Sequence, residues 1–152
     1  MTKLVRTDSD HPDFIELVRQ LDAFLAEIDG DEHAFYNQLN KTTNMKMVVV
    51  AFDHDQPVAC GAIREFDKHS MEVKRMYTLP SHRGKGFAKM VLQELEKWTS
   101  ELGYKKCILE TGKRQPEAIS LYEKSGYRSI HNYGKYLNVE NSVCFEKQLR
   151  SE

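Results

Sequence analysis

Apolar residues along this chain change their spacing from stretch to stretch, and each change marks an element. Residues 4–6 read as a short first strand. A helix follows, with Ser9 or Asp10 as its cap and Pro12 near its first turn. Its apolar residues Phe14, Leu17, Val18, Leu21, Phe24, Leu25 and Ile28 recur at helical spacing, and Gly30 ends it. Asp31 is placed to cap a second short helix through Leu39, with Phe35 and Leu39 on one face. Residues 45–52 are dense in β-branched and apolar side chains and read as a buried strand. Turn chemistry at Asp53, His54, Asp55 and Gln56 returns the chain into a second strand, 57–66, so the two make a hairpin. A turn at 67–69 leads to a third strand, 71–78. Residues 88–102 form an amphipathic helix with Ala88, Val91, Leu95, Trp98 and Leu102 along its stripe, stopped by Gly103. A strand at 106–111, a helix at 116–125 ended by Gly126, and strands at 127–131 and 143–149 complete the order.

A meander of antiparallel strands that feeds a strand–helix–strand crossover predicts a mixed, mostly antiparallel central sheet with helices on both faces. The expected class is α/β of the α+β kind, in one domain over residues 1–152. No internal repeat or linker interrupts it.

Composition narrows the functional classes. The net charge is -1 and no long basic run occurs, so there is no electrostatic footprint for nucleic acid. No segment is long and apolar enough to span a membrane, and the polar N-terminal stretch has no signal core. Three cysteines, Cys60, Cys107 and Cys144, lie in apolar strand-like runs, which reads as reduced, buried thiols of a cytoplasmic protein. The six histidines are scattered without ligand spacing, so no metal is expected.

Residues 83–88, RGKGFA, stand between the third strand and the amphipathic helix. Gly84 and Gly86 permit positive φ and a close approach of the backbone to a ligand. The helix that follows leaves its first N–H groups without intrahelical partners and favours negative charge there. Arg83 and Lys85 add two cations. Together they form a phosphate or pyrophosphate cradle. The loop is neither a Walker sequence nor a GxGxxG fingerprint, which argues against a nucleotide-binding protein.

The loop, Arg83-x-x-Gly86-x-Ala88 after Thr78-Leu79-Pro80, resembles the acetyl-CoA loop of the GNAT N-acetyltransferases. Downstream, Gln115-Pro116-Glu117-Ala118-Ile119-Ser120-Leu121-Tyr122 and Gly126-Tyr127 resemble that family's Asn-x-x-Ala-x-x-Leu-Tyr-x-x-x-Gly-Phe segment. Gln115 stands for the Asn and Tyr127 for the Phe. The two motifs come in the family's order, separated by a helix and a strand, and the resemblance covers nearly the whole chain. It implies a GNAT-like fold and acetyl-CoA as cosubstrate, without a metal. It also implies transfer of the acetyl group to a primary amine, of a small molecule or a peptide, by direct attack. The cofactor residues carried over are Met76, Tyr77, Thr78, Arg83, Gly84, Lys85, Gly86, Phe87, Ala88, Gln115 and Ala118. The reading from a different class is a non-catalytic acyl-CoA sensor or interaction module with the same cradle.

Two side chains are candidates for proton transfer. A phenol stays protonated at neutral pH, so Tyr122 is able to donate to a departing thiolate; side-chain chemistry alone equally allows a packing role, and the resemblance favours the acid. Glu72 is the candidate base for an acceptor ammonium, against the plainer role of an ion pair with Lys74 or with a residue on the neighbouring strand. Glu110 is the alternative base. In a regular strand Glu72, Lys74, Met76 and Thr78 share a face, and the adjacent cations Lys74 and Arg75 point to opposite faces. Tyr133, Tyr136 and Asn138 precede the last strand and are candidates for shaping the acceptor pocket, against the plainer role of a mobile polar-aromatic connection. An exposed C-terminal strand able to pair between subunits leaves room for a homodimer.

Overall fold

The computed structural model describes residues 1–29 and 44–149. The helix expected over residues 31–39 lies outside them. The elements are β1 (Thr2–Thr7), α1 (Pro12–Asp29), β2 (Met47–Asp53), β3 (Gln56–Asp67), β4 (Ser70–Thr78), α2 (Phe87–Glu101), β5 (Lys106–Gly112), α3 (Pro116–Lys124), β6 (Arg128–Ile130) and β7 (Ser142–Gln148). The seven strands form one sheet in the order β1-β2-β3-β4-β5-β7-β6. Only β4 and β5 pair in parallel, because α2 carries the chain back over one face between them. The mixed, mostly antiparallel sheet is as expected.

Burial on both faces follows from alternation along the strands, which β2 shows over residues 48–51. In β2, Val49 and Ala51 face one apolar cluster while Val48 and Val50 face another. The first cluster holds Phe87, Val91, Leu92 and Leu95 of α2 with Tyr122 of α3. The second holds Phe14, Leu17, Val18 and Leu21 of α1. Helices therefore cover both faces, with α1 on one side and α2 and α3 on the other.

Several local details differ from expectation. The cap of α1 is His11, not Ser9 or Asp10: Ile15 N donates to His11 O at 3.1 Å, and Asp13 N donates to His11 Nδ1 at 3.1 Å. An imidazole nitrogen does here what a short polar side chain usually does. The stripe of α2 buries Leu92 and Thr99 as well, whereas Leu102 is exposed because it lies past the last helical turn. The hairpin turn places both His54 (φ 51) and Asp55 (φ 71) in the left-handed region, which matches the twist of β2 and β3.

Candidate active site

The glycine loop runs from a short 3-10 turn, Pro80–His82, into α2. Gly84 (φ 78) and Gly86 (φ 86) are left-handed, and Gly86 is the N-cap of α2 with no side chain capping it. Met90 N bonds Gly86 O at 3.0 Å, so the helical ladder starts at Met90 and the amides of Phe87, Ala88 and Lys89 precede it. Arg83 is held in place: its Nε donates to Thr78 O at 3.1 Å, and its guanidinium lies 5.1 Å from the Phe24 ring centroid and 5.7 Å from that of Tyr77.

Strand β4 is irregular where the site begins. Lys74 pairs with Ala62 and Tyr77 with Cys60, so Arg75 and Met76 together oppose Gly61 alone. Arg75 takes φ 60 at this bulge. The bulge corrects the expected parity. Val73 packs in the α2-side cluster and Tyr77 in the α1-side cluster, although they are four residues apart. Met76 packs against the α2 side and so does not share a face with Glu72 and Lys74. Gly61 makes room for it, since a Cβ there would stand 2.5 Å from Met76 Sδ. Lys74 and Arg75 both line the cavity that opens beside the bulge. Arg75 Nη2 donates to Asp22 Oδ1 on α1 at 2.5 Å, the structural ion pair that plain charge chemistry suggests for it.

On its other edge β4 leaves its neighbour. Its ladder with β5 runs from Ser70–Lys106 to Glu72–Ile108 and stops, while both strands continue. The backbone of β4 beyond Glu72 is therefore outside the ladder on the β5 side, and a cleft opens between the strands.

Tyr122 stands on α3 at the β5 side of this cleft, 6% exposed. The end of α3 fixes it: Tyr127 N donates to Tyr122 O at 3.0 Å and Gly126 N to Glu123 O at 3.2 Å, with Gly126 at φ 95. Its ring meets Tyr127 edge-on at 5.8 Å. Burial, and then the Glu110 carboxylate, push its phenol above the ordinary range, so it stays protonated. Glu72 is buried, and both its oxygens are occupied: Arg64 Nε donates to Oε1 at 3.3 Å and Tyr133 Oη to Oε2 at 2.7 Å. The cross-strand ion pair expected as one option is thus present, with Arg64 of β3 as the partner. Glu110 Oε2 accepts from Ser142 Oγ at 2.6 Å. Lys74 Nζ donates to Tyr136 Oη at 3.3 Å, and burial lowers the pKa of this lysine.

These groups surround a cavity of about 1090 Å³. Of the residues singled out from sequence, Glu72, Met76, Tyr77, Thr78, Arg83, Gly84, Gly86, Phe87, Ala88, Gln115, Ala118 and Tyr122 all line it. Lys85 is exposed and does not; Lys89, one helical turn on, does. Tyr136 and Glu110 also line it, whereas Tyr133 reaches it only through Glu72, and Asn138 borders a separate shallow depression. The first helix was expected to help build the acceptor pocket, and Leu21, Phe24, Leu25 and Ile28 of α1 do give one wall of the cavity; the sequence singled out none of the four for it, because their spacing signals only a helix with an apolar face. Sequence reasoning missed Arg114, just after β5, which carries no motif.

The three cysteines are buried and none lines the cavity. Burial pushes the Cys60 thiol up to about 12 and those of Cys107 and Cys144 up to about 11, so all three remain thiols at neutral pH. Among the described residues no group of three or more His, Cys, Asp or Glu side chains is placed to hold a metal ion. No helix among them is long and apolar enough to cross a membrane.

A parallel pair that splays apart, a bulge on one side of the opening and a left-handed glycine loop at its mouth fit the GNAT-like scaffold that the sequence resemblance implies. The profile of the Acetyltransferase (GNAT) family matches residues 12–127, and the chain belongs to that family and is an N-acetyltransferase by it. The uncharacterized N-acetyltransferase YsnE of Bacillus subtilis is 37% identical over 101 residues, 65% of this chain and 67% of YsnE. A Klebsiella pneumoniae protein assigned to the acyl-CoA N-acyltransferases superposes with a TM-score of 0.83 at 28% identity, covering 99% of both chains. PaiA N-acetyltransferase of Thermoplasma acidophilum, solved in complex with coenzyme A, superposes with a TM-score of 0.70 at 18% identity, covering 97% of this chain and 99% of PaiA.

Proposed function

We propose that this N-acetyltransferase moves an acetyl group from acetyl-CoA to a primary amine by direct attack while both substrates are bound. The observation that carries the reading is the single cavity that holds the uncapped start of α2, the unpaired edge of β4 and Tyr122. The residues fit the cosubstrate at each end. The glycine loop offers N–H groups, a helix dipole and the Arg83 guanidinium to a diphosphate. The unladdered edge of β4 beyond Glu72 offers amide groups to the pantetheine amides and to the thioester oxygen. Coenzyme A is also the ligand of the PaiA neighbour.

Acetyl-CoA, once bound, supplies the activated acyl group. Glu72 takes a proton from the acceptor ammonium, through a water, so that the free amine attacks. Backbone N–H groups of β4 stabilise the charge that develops on the acyl oxygen. The C–N bond forms and the C–S bond breaks. Tyr122 gives its proton to the departing sulfur; the second proton, lost by the nitrogen as the amide forms, restores the phenol, and the first leaves Glu72 to solvent. Burial keeps the Tyr122 phenol protonated, so it holds a proton to give when the thiolate departs. No covalent enzyme intermediate is needed, as the buried cysteines stand away from the cavity.

The testing experiment follows thiol release from acetyl-CoA against a panel of primary amines, beside calorimetric titration of acetyl-CoA alone. Binding with amine-dependent thiol release is expected. Thiol release that is indifferent to every amine would reject the assignment of the acceptor as an amine.

A further inference from the structure

We propose that Tyr133, which lies outside the cavity, is a positioning residue that holds the Glu72 carboxylate in one orientation. This inference rests on the reading of Glu72 as the base.

The geometry is specific. Tyr133 Oη stands 2.7 Å from Glu72 Oε2, the shorter of the two contacts on that carboxylate. The tyrosine is itself fixed from several directions. Its ring meets Phe66 edge-on at 5.0 Å and Tyr136 at 5.7 Å, and its backbone lies against the Cys144 thiol. Gly134, next in sequence, takes φ 53 with Phe66 Cε1 3.4 Å from where a Cβ would stand, so the loop turns tightly under that ring. A hydroxyl on such a frame holds a carboxylate to one orientation, which is what a base needs to meet a proton at a fixed place. Burial, and then the Glu72 carboxylate, push the Tyr133 phenol up, so it remains a donor throughout the working range.

Two tyrosines of one loop meet the two charged residues of β4 that flank the start of the cleft, Tyr133 at Glu72 and Tyr136 at Lys74. The loop before β7 thereby fixes the proton-handling wall of the cavity. The charged and titratable groups that interact with Glu72 are Arg64 from β3, Lys74 from β4, Cys144 from β7, and Tyr133 and Tyr136. Among these, Tyr133 and Arg64 touch the carboxylate directly, and Arg64 is half exposed and farther away.

The experiment compares kcat and KM for acetyl-CoA in the parent, Y133F, R64Q and E72Q, each checked for an unchanged circular-dichroism spectrum. A carboxylate that loses the donor orienting it is less often in line with the acceptor proton, while the cosubstrate site is untouched. Y133F is expected to lower kcat about tenfold and to leave KM for acetyl-CoA unchanged. R64Q lowers kcat by less, because an exposed partner is screened. A Y133F kcat equal to the parent's, beside an E72Q variant that has lost activity, overturns the positioning role and leaves the base in place. An E72Q variant with the parent's kcat overturns the base, and the inference with it.

Discussion

Arg83 Nε donates to the carbonyl oxygen of Thr78 at 3.1 Å, so the cation that opens the glycine loop is tied to the last residue of β4. One guanidinium thus joins the glycine-loop end of the cleft to the strand that lines it, the two parts to which the proposed function assigns the diphosphate and the pantetheine. Its stacking on Phe24 brings α1 into the same arrangement. Replacing it by glutamate removes the tie and places a negative charge at the helix N-terminus to which the proposed function assigns a diphosphate. R83E should raise the acetyl-CoA Kd by about 100-fold in calorimetry, and R83K, which keeps charge but loses the planar fork, by about tenfold. Equal affinity of R83E and parent would place the cradle elsewhere.

Tyr122 makes its ring contacts through carbon atoms, to Tyr127 at 5.8 Å and to Phe145 at 6.2 Å. Phenylalanine keeps both, so Y122F isolates the hydroxyl. A lost proton donor costs about 10²-fold in kcat with little change in the acetyl-CoA Kd. Steady-state kinetics together with calorimetry separate the two quantities. Full turnover in Y122F would return Tyr122 to a packing role.

Much of this site was legible in the sequence because its parts are local. A glycine loop between a strand and a helix, and a tyrosine four residues before a helix-ending glycine, are spacings within one segment. The bulge was not legible. It arises from the register between β3 and β4, where Gly61 faces two residues, and its left-handed position is filled by Arg75 rather than by the glycine or asparagine that would announce it. The partners of the charged residues were hidden for the same reason. Asp22 meets Arg75 across 53 positions and Tyr133 meets Glu72 across 61, and no local spacing encodes either pair. The His11 cap was overlooked because two better cap formers, Ser9 and Asp10, stand just before it.

Gly86 and Gly61 have opposite reasons for being glycine, and alanine should expose the difference. At Gly86 a Cβ meets nothing within 4 Å, but φ is 86. At Gly61 the backbone is ordinary strand, but a Cβ falls 2.5 Å from Met76 Sδ and 2.9 Å from Leu95 Cδ1. G86A should cost about 1–2 kcal/mol through backbone strain, with weaker acetyl-CoA binding. G61A should cost about 1–3 kcal/mol through overpacking and should shift Met76 at the bulge. Urea denaturation gives the stabilities; a G61A protein as stable as the parent would mean that Met76 is free to move aside.

Glu146 provides a pH test of the sheet itself. It lies on β7 between β5 and β6, accepts from Arg128 Nη2 at 2.6 Å and from Lys106 Nζ at 3.3 Å, and so joins three strands. The hydrogen bond from Arg128 holds its carboxyl below its ordinary value of 4.5, with Lys106 adding to this against the opposing effect of burial. A carboxyl depressed in the folded state contributes its stability in full above the unfolded value, and loses it as pH falls through the folded one. The parent Tm should therefore drop as pH goes from above 4.5 toward acid, and part of that drop belongs to this residue. E146Q should lower Tm by about 2–4 °C at neutral pH and show a flatter acid limb, so that the two curves converge at low pH. Salt should narrow the gap at neutral pH, because the Arg128 side chain is 74% exposed and its charge is screened. Scanning calorimetry across this range decides the matter: curves that stay parallel down to acid would show that Glu146 holds the strands by hydrogen bonding alone, with its charge contributing nothing.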